Sequence, residues 1–231
     1  MHTIKVTAIS HVGNSRKNHE DNYLIGKDYL KQNQVDSISI SKEIFKEVKI
    51  LNSPFFVAVS DGMGGYEGGE VASAMTVEFL ADKGLDYLYE SGDLEKNISN
   101  CISDLNEYIC DESKKHSNTR GMGATLCGVV TYLDDSYCFN AGDSRLYMYK
   151  DKNLKQVSVD NTHGQRILDL ELLTREEVDK LSNRKAMYKY IGRETKLIPD
   201  IYKLGNIEKD TILLLCSDGF SDALEPDEIQ D

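Results

Sequence analysis

The tripeptide Ser-Asp-Gly occurs twice in this sequence, each time directly after an unbroken run of apolar residues. Phe55–Val59 precedes Ser60-Asp61-Gly62, and Ile212–Cys216 precedes Ser217-Asp218-Gly219. An apolar run of this length, followed by a turn signal, is typical of a buried strand. The sequence therefore predicts two buried strands, each with a carboxylate at the point where the strand leaves the sheet.

Two further acidic sites stand next to apolar segments. Asp143 follows Cys138–Ala141, and the pair Glu20 and Asp21 precedes the short apolar stretch 23–25. Four acidic sites without histidine neighbours favour a hard cation such as Mg²⁺ or Mn²⁺, whereas zinc would require Cys or His ligands at characteristic spacing. A single Asp-Gly is ordinary turn chemistry, so the metal hypothesis depends on the four sites together.

Charge and cysteine content exclude several kinds of protein. The 231 residues include 27 Lys and Arg against 39 Asp and Glu, a formal net charge of −12. Such a chain lacks the basic surface that nucleic acid or an anionic membrane requires. No segment has the length of a membrane-spanning helix, and the N-terminus has no signal-peptide pattern. The five cysteines are odd in number and form no CxxC pair, which indicates reduced thiols and a cytoplasmic protein.

Hydrophobic periodicity predicts a single α+β domain over residues 1–231, with largely antiparallel sheets. A capping box, Thr174 with Glu177, indicates a helix start, and the polar segment 27–50 indicates a loop or a strand–helix insertion. The predicted strands are 2–10, 22–26, 55–60, 124–132, 136–141, 145–150, 155–158, 200–205 and 211–216, and the predicted helices are 67–89, 94–113 and parts of 161–182.

A cluster of glycines, 62–69, precedes the first long helix. It fits neither the GxGxxG fingerprint nor the P-loop. Backbone N–H groups at the start of a helix can bind phosphate, but the same residues also suit a flexible turn, and the sequence does not decide between these two interpretations.

Taken together, these motifs resemble those of the bacterial PPM-type, or type 2C, metal-dependent serine/threonine protein phosphatases. The resemblance extends over nearly the whole chain. The matching segments, in order, are Arg16-x-x-x-Glu20-Asp21-Asn22, Val59-Ser60-Asp61-Gly62-Met63-Gly64-Gly65, Gly121-Met122-Gly123-Ala124-Thr125-Leu126, Asn140-Ala141-Gly142-Asp143-Ser144-Arg145, Ser158–His163, Tyr190-Ile191-Gly192 and Leu214–Asp222.

The resemblance implies a central β-sandwich of two mostly antiparallel sheets flanked by pairs of helices. It also implies two Mn²⁺ or Mg²⁺ ions, with a third, weaker one in bacterial members. The residues it implies are Asp61 bridging the two metals, the Gly62 carbonyl beside it, Asp218 on the first metal, Glu20 and Asp21 on the second, Asp143 on a third, and Arg16 binding the substrate phosphate.

This chemistry suits the residue types. Hydrolysis of a phosphate monoester has a very high uncatalysed barrier, and a two-metal site lowers it by activating water and clamping the in-line transition state. The expected substrates are phosphorylated proteins, with a serine/threonine kinase as counterpart in signalling. Leaving-group protonation has no obvious donor, and His11, His19 and His163 are candidates for which surface or structural roles are favoured.

The resemblance also indicates an incomplete C-terminal end. The family continues with a helix and then a strand headed by Asp-Asn, whose aspartate binds the first metal, and residues 226–231 match only the start of that helix. An alternative hypothesis follows, namely a catalytically weak member that binds phosphoproteins as a regulatory module. A third, an unrelated acidic metal-binding protein, is disfavoured because calcium-loop spacing is absent.

Overall fold

A computed structural model of the chain describes residues 2–13, 18–31, 42–50, 53–64, 68–90, 92–224 and 226–230. The strands are β1 His2–Ser10, β2 Asp21–Ile25, β3 Asp28–Tyr29, β4 Lys42–Ile50, β5 Phe55–Met63, β6 Gly123–Ala124, β7 Leu126–Tyr132, β8 Asp135–Ala141, β9 Arg145–Lys150, β10 Asn153–Gln156, β11 Asp200–Gly205 and β12 Ile212–Cys216. The helices are α1 Gly68–Leu88, α2 Leu94–Ser113, α3 His163–Asp169, α4 Arg175–Val178, α5 Asp218–Ser221 and α6 Pro226–Gln230.

The larger sheet has its strands in the order β11-β8-β7-β5-β2-β3, and the short β6 pairs with the end of β5. Each neighbouring pair is antiparallel. The central position of β5 follows from its apolar sequence, because a strand with partners on both edges is the one most removed from water. The predicted antiparallel sheet is confirmed.

A second layer covers one face of this sheet in two separate pieces. The β1–β4 pair packs its Val6 and Ala8 against Tyr23 and Ile25 of β2. The β10-β9-β12 sheet packs Leu146 and its neighbours against β7 and β8. The two layers form the β-sandwich that the sequence analysis predicts.

The two long helices cover the opposite face of the larger sheet. On α2 the apolar residues that recur at helical spacing, Ile98, Ile102, Leu105 and Ile109, are all buried. On α1 the apolar residues at helical spacing are in part buried, at Ala74, Phe79 and Leu80, and in part half-buried, at Val71 and Met75. The buried apolar residues of α1 are Ala72, Ala74, Val77, Phe79, Leu80, Ala81 and Leu88.

Two local predictions differ from the structure. Strand β5 does not end at residue 60, as predicted, but continues through Met63, because β2 and β6 supply backbone partners for residues 60–63. The polar segment 27–50 contains strands β3 and β4, and its residues 32–41 lie outside the described part of the chain. The predicted capping box is present, with Thr174 accepting from the Glu177 amide and the Glu177 carboxylate accepting from Thr174.

Within the described ranges, no helix is both long enough and apolar enough to cross a membrane.

Candidate metal centre

Antiparallel pairing of β2 with β5 places Asp21 directly opposite Asp61. Directly opposite residues in such a pair have Cβ atoms only about 5 Å apart. Like charges in that position repel, so the pairing brings two carboxylates together at an energetic cost unless a cation or a proton lies between them.

A network of hydroxyl groups fixes the backbone that carries Asp61. The Asp61 amide donates to the Thr125 hydroxyl at 2.9 Å, and the Thr125 amide donates to the Asp61 carbonyl at 2.8 Å. The Ser60 hydroxyl donates to the Thr125 carbonyl at 2.7 Å, and the hydroxyls of Thr125 and Ser144 lie 2.6 Å apart. These side chains are buried, so the position of Asp61 is rigidly determined.

Close approach of two backbones explains two of the clustered glycines. A Cβ atom on Gly62 would lie 1.9 Å from the carbonyl oxygen of Gly69, and a Cβ atom on Gly69 would lie 2.8 Å from the Glu20 carboxyl. The Gly62 amide in turn donates to the Glu20 carbonyl at 3.0 Å. Glycine at both positions therefore lets the first turn of α1 approach the end of β5, with Glu20 beside them.

The second Ser-Asp-Gly brings Asp218 to the same place from the other layer. Asp218 is the first residue of α5, directly after β12. The preceding Ser217 donates its hydroxyl to the Asp21 carboxylate at 2.7 Å. Asp218 is also close enough to Asp61 for a hydrogen bond between the two carboxyl groups.

Asp143 completes the group from the turn between β8 and β9. Two residues on, Arg145 forms a bidentate salt bridge to Asp160, with nitrogen–oxygen distances of 2.7 to 3.1 Å. The Asn161 carboxamide oxygen accepts from the Gly142 amide at 3.0 Å. The turn that carries Asp143 is thus held on both sides.

The pKa shifts show how strongly the aspartates interact. Burial, and then the charges of Asp21, Asp218 and Asp143, raise the pKa of Asp61 from 3.8 to about 9. Burial followed by the charge of Asp218 raises the pKa of Asp143 to about 6. The residues present thus leave negative charge uncompensated, and hard oxygen donors in that condition fit a divalent cation.

Among the described residues, Lys185 is the basic side chain that forms ion pairs at this group of aspartates. Its Nζ forms an ion pair with Asp222 and lies 3.9 Å from the carboxylate of Asp218. The hydrogen bond to Asp222 is the main cause of the raised pKa of Lys185. The lysine side chain therefore stays protonated.

The structure places Glu20, Asp21, Asp61, Gly62, Asp143 and Asp218 around one cavity, whereas Arg16 lies outside the described residues. Within the described ranges, no three His, Cys, Asp or Glu side chains are arranged to hold a metal ion as they stand. Mutual repulsion of carboxylates explains why they surround a common region without converging on one point.

The histidine nearest in sequence to Glu20 has a structural role. His19 is buried and its Nε2 lies 2.7 Å from the Ser10 hydroxyl. Burial lowers its pKa, so the ring stays neutral. His11 accepts from the Gly13 amide, and His163 is exposed at the start of α3 beside Tyr188. The favoured surface or structural roles fit these positions.

Sequence reasoning missed the residues that position the aspartates. The repeated Ser-Asp-Gly contained the signal for two of them, because both serines donate hydrogen bonds across the site, Ser60 to Thr125 and Ser217 to Asp21. Lys185 had no local signal, since it lies in a polar segment far along the chain from Asp218.

The fold and the gathered aspartates define a carboxylate-rich β-sandwich of the PPM type. The family model described as protein phosphatase 2C matches residues 47–230, and the chain belongs to this family. A serine/threonine phosphatase of Listeria welshimeri is 30% identical over 182 residues, which are 78% of this chain and 71% of that protein. The serine/threonine protein phosphatase PstP of Mycobacterium tuberculosis is 30% identical over 174 residues, which are 75% of this chain and 33% of that protein.

Solved structures agree with this assignment of the fold. The serine/threonine phosphatase of S. agalactiae superposes with a TM-score of 0.78 at 21% identity, covering 97% of this chain and 85% of its own. The catalytic domain of PstP in complex with two manganese ions superposes with a TM-score of 0.73 at 25% identity, covering 99% of this chain and 84% of its own.

Proposed function

We propose that this protein serine/threonine phosphatase hydrolyses phosphoserine and phosphothreonine in proteins with two Mn²⁺ or Mg²⁺ ions held at the aspartate cluster. The observation that carries the proposal is the environment of Asp61, whose carboxyl group is enclosed by three other aspartates and has its pKa raised to about 9. A relative bound to two manganese ions has the same fold, which supports a two-ion site.

Each residue has a proposed part in holding the ions. Asp61 would bridge them, with the Gly62 carbonyl beside it. Asp218 would bind the first, Glu20 and Asp21 the second, and Asp143 a third. Bound ions of this kind supply Lewis acidity and a water of lowered pKa.

The remaining residues orient these ligands and the substrate. Thr125 fixes the backbone of Asp61, and Ser217 fixes the carboxylate of Asp21. We assign Arg16 to the substrate phosphate, because a guanidinium group matches two phosphate oxygens. The half-buried region around Asp61 limits access of bulk water, which strengthens each of these electrostatic interactions.

The cellular setting is also proposed. A protein phosphatase of this class acts opposite a serine/threonine kinase in signalling, and reduced thiols suit the cytoplasm. All five cysteines are free and buried, as expected for a chain that does not depend on disulfides. Nucleic acid and membranes are not proposed as partners, because the net charge is −12.

The test is hydrolysis of a phosphothreonine peptide by the full chain, with Mn²⁺ and then with excess chelator. Asp61→Asn keeps the size of the side chain and is expected to lower kcat by about 100-fold or more. The matched control is Asp86→Asn, at an exposed position of α1, which is expected to leave the rate unchanged. Turnover that survives both chelator and Asp61→Asn would contradict the proposal.

The alternative of a weakly catalytic phosphoprotein-binding module is not favoured, because the curated relatives are named phosphatases. The same experiment separates the two functions. Tight peptide binding in chelator without any turnover in Mn²⁺ would support the binding module.

A further inference from the structure

The carboxylate of Asp200 has two partners from different parts of the chain. Asp200 is the first residue of β11 and lies opposite Asn140 of β8. One of its oxygens accepts a hydrogen bond from the carboxamide nitrogen of Asn161 at 2.6 Å, and the other forms an ion pair with the ammonium group of Lys189. The side chains of Lys189 and Asp200 are only 25% and 28% exposed, so this pair is better shielded from water than an ordinary surface salt bridge.

The two partners of Asp200 stand at the two ends of one excursion of the chain, residues 162–188, which contains α3 and α4. The ends of the excursion are also joined by their backbone, because the Tyr188 amide donates to the Asn161 carbonyl at 2.9 Å. Asn161 is itself almost completely buried. Its position is therefore determined from both ends of the excursion, with the Asp200 carboxylate between them.

Asn161 connects Asp200 to the turn that carries Asp143. The carboxamide oxygen of Asn161 accepts from the Gly142 amide at 3.0 Å, and the Asn161 amide donates to the Gly142 carbonyl at 2.8 Å. Gly142 directly precedes Asp143 in the chain. Both backbone polar groups of Gly142 are thus bonded to Asn161, so the position of the turn depends on that of Asn161.

Close packing encloses the same turn on its other side. Gly142 has a φ of +132°, and a Cβ atom on it would lie 2.7 Å from the Cβ atom of Thr125. Thr125 is the residue whose hydroxyl accepts from the Asp61 amide. The turn lies between Thr125 and Asn161, and a displacement of Asn161 would therefore change the position of Asp143 relative to Asp61.

A carboxylate at position 200 selects one orientation of the Asn161 side chain. A carboxamide has a donor end and an acceptor end, whereas an ionised carboxylate can only accept hydrogen bonds. Asp200 therefore turns the NH₂ group of Asn161 toward itself and leaves the carboxamide oxygen for the Gly142 amide. Lys189, which can only donate, balances the charge of Asp200 without offering Asn161 a second acceptor.

We propose that Asp200 is a positioning residue for the proposed metal centre, where it fixes the Gly142 backbone through Asn161 and so holds Asp143 in place beside Asp61. Asp200 does not line the cavity around which the site aspartates lie, so its effect is transmitted by Asn161. Because it concerns the same site, this role rests on the proposed function.

The first test uses the full chain in chelator and needs no substrate. Asp200→Asn removes the charge and replaces one of the two acceptor oxygens by a donor, so Asn161 and Lys189 can no longer each have an oxygen of their own. Amide hydrogen exchange at Gly142 and Asn161 is expected to become about tenfold faster, which is the effect of weakening a single hydrogen bond.

Asp135→Asn is the matched control. Asp135 of β8 forms an ion pair with Lys203 of β11 at 3.1 Å, so this variant removes a carboxylate–lysine pair at the opposite end of the same two strands. It is expected to leave exchange at Gly142 and Asn161 unchanged.

Calorimetric titration with Mn²⁺ separates positioning from a general effect on the fold. Asp200→Asn is expected to weaken Mn²⁺ binding by about tenfold, the lower end of the loss when a partner that orients a ligand is removed. In an Asp143→Asn background the same change should cause no further loss, because Asp200 acts through Asp143. A merely structural role would cause an equal loss in both backgrounds.

Two results would overturn the proposal alone. One is unchanged exchange at Gly142 and Asn161 in Asp200→Asn. The other is Mn²⁺ binding that Asp200→Asn leaves unchanged, or weakens equally with and without Asp143. Absence of Mn²⁺ binding by the unaltered chain would instead contradict the proposed function, and the role of Asp200 with it. If Asp200→Asn does not fold, Asn161→Ala decides the outcome, since it removes the connecting residue and should give the same non-additive loss.

Discussion

The hydroxyl of Ser217 donates a hydrogen bond of 2.7 Å to the carboxylate of Asp21, although the two residues are 196 positions apart in the chain. The contact joins the end of β12 to the start of β2. Ser217 is followed directly by Asp218, and Asp21 lies opposite Asp61. One hydrogen bond therefore links both layers of the sandwich at the point where the aspartates gather.

Removal of the Ser217 hydroxyl should lower the metal affinity of the site more than it lowers the stability of the fold. Ser217→Ala leaves Asp21 free to rotate, and loss of such an orienting partner typically costs 10- to 100-fold in metal affinity or activity. We expect the Mn²⁺ concentration for half-maximal turnover to rise by about tenfold, with little change in Tm. Ser53→Ala, at an exposed position before β5, is the matched control. An unchanged Mn²⁺ requirement would show that Ser217 does not position Asp21.

The metal-free protein should lose stability as the pH rises. The pKa of Asp61 is about 9 in the folded chain against an ordinary 3.8, so the folded state retains a proton that the unfolded state has lost. The proton-linked stability is present below about pH 4 and is lost progressively toward about pH 9.

The Asp61→Asn variant has no ionisable group at this position and should lose this dependence of stability on pH. In chelator we expect the Tm of this variant to exceed that of the unaltered chain, by a margin that grows between about pH 5 and pH 8. Thermal melts at several pH values measure it, with Asp86→Asn as control. A margin that is constant with pH would contradict the raised pKa of Asp61.

The bidentate pair of Arg145 and Asp160 should be important for stability. Its side chains are only 24% and 12% exposed, and removing one member of a largely buried pair leaves the other charge uncompensated. Asp160→Asn is therefore expected to lower the free energy of unfolding by about 3 kcal/mol. Denaturant melts of both single variants and the double variant with Arg145→Met measure the coupling. A loss below about 1 kcal/mol would place this pair among ordinary surface salt bridges.

The five thiols should be unreactive in the native protein. All are buried and free, and burial raises the pKa of Cys101 to about 12 and that of Cys216 to about 11. Because the thiolate is the reactive form, a thiol reagent should modify none of them until denaturant is added, and then all five. Rapid reaction of any thiol before unfolding would contradict this burial.

Much of the fold could be predicted from local pattern. The strand 145–150 and the helix 94–113 have the bounds that the sequence pattern indicates. The helix carries a complete buried face in its own sequence, and the strand is an apolar run with a charged residue at each end. Strand β4 could not be predicted in this way, since five of its nine residues are charged and its composition therefore resembles that of a polar loop. Its strand character depends on pairing with β1.

The site was partly predictable for a related physical reason. An aspartate next to an apolar segment can be recognised in the sequence as a candidate metal ligand. Four aspartates found in this way, Asp21, Asp61, Asp143 and Asp218, line one cavity in the structure. Register cannot be obtained from single segments, so neither the opposition of Asp21 and Asp61 nor the role of Thr125 followed from the sequence.

The central claim is that the gathered aspartates hold the divalent cations on which hydrolysis depends. Calorimetric titration of the metal-free chain with Mn²⁺, paired with turnover of a phosphothreonine peptide on the same samples, tests it most directly. We predict that turnover rises together with binding, and that both are lost in Asp61→Asn and Asp218→Asn. Full turnover by the metal-free chain, or unchanged Mn²⁺ binding in both variants, would contradict the claim.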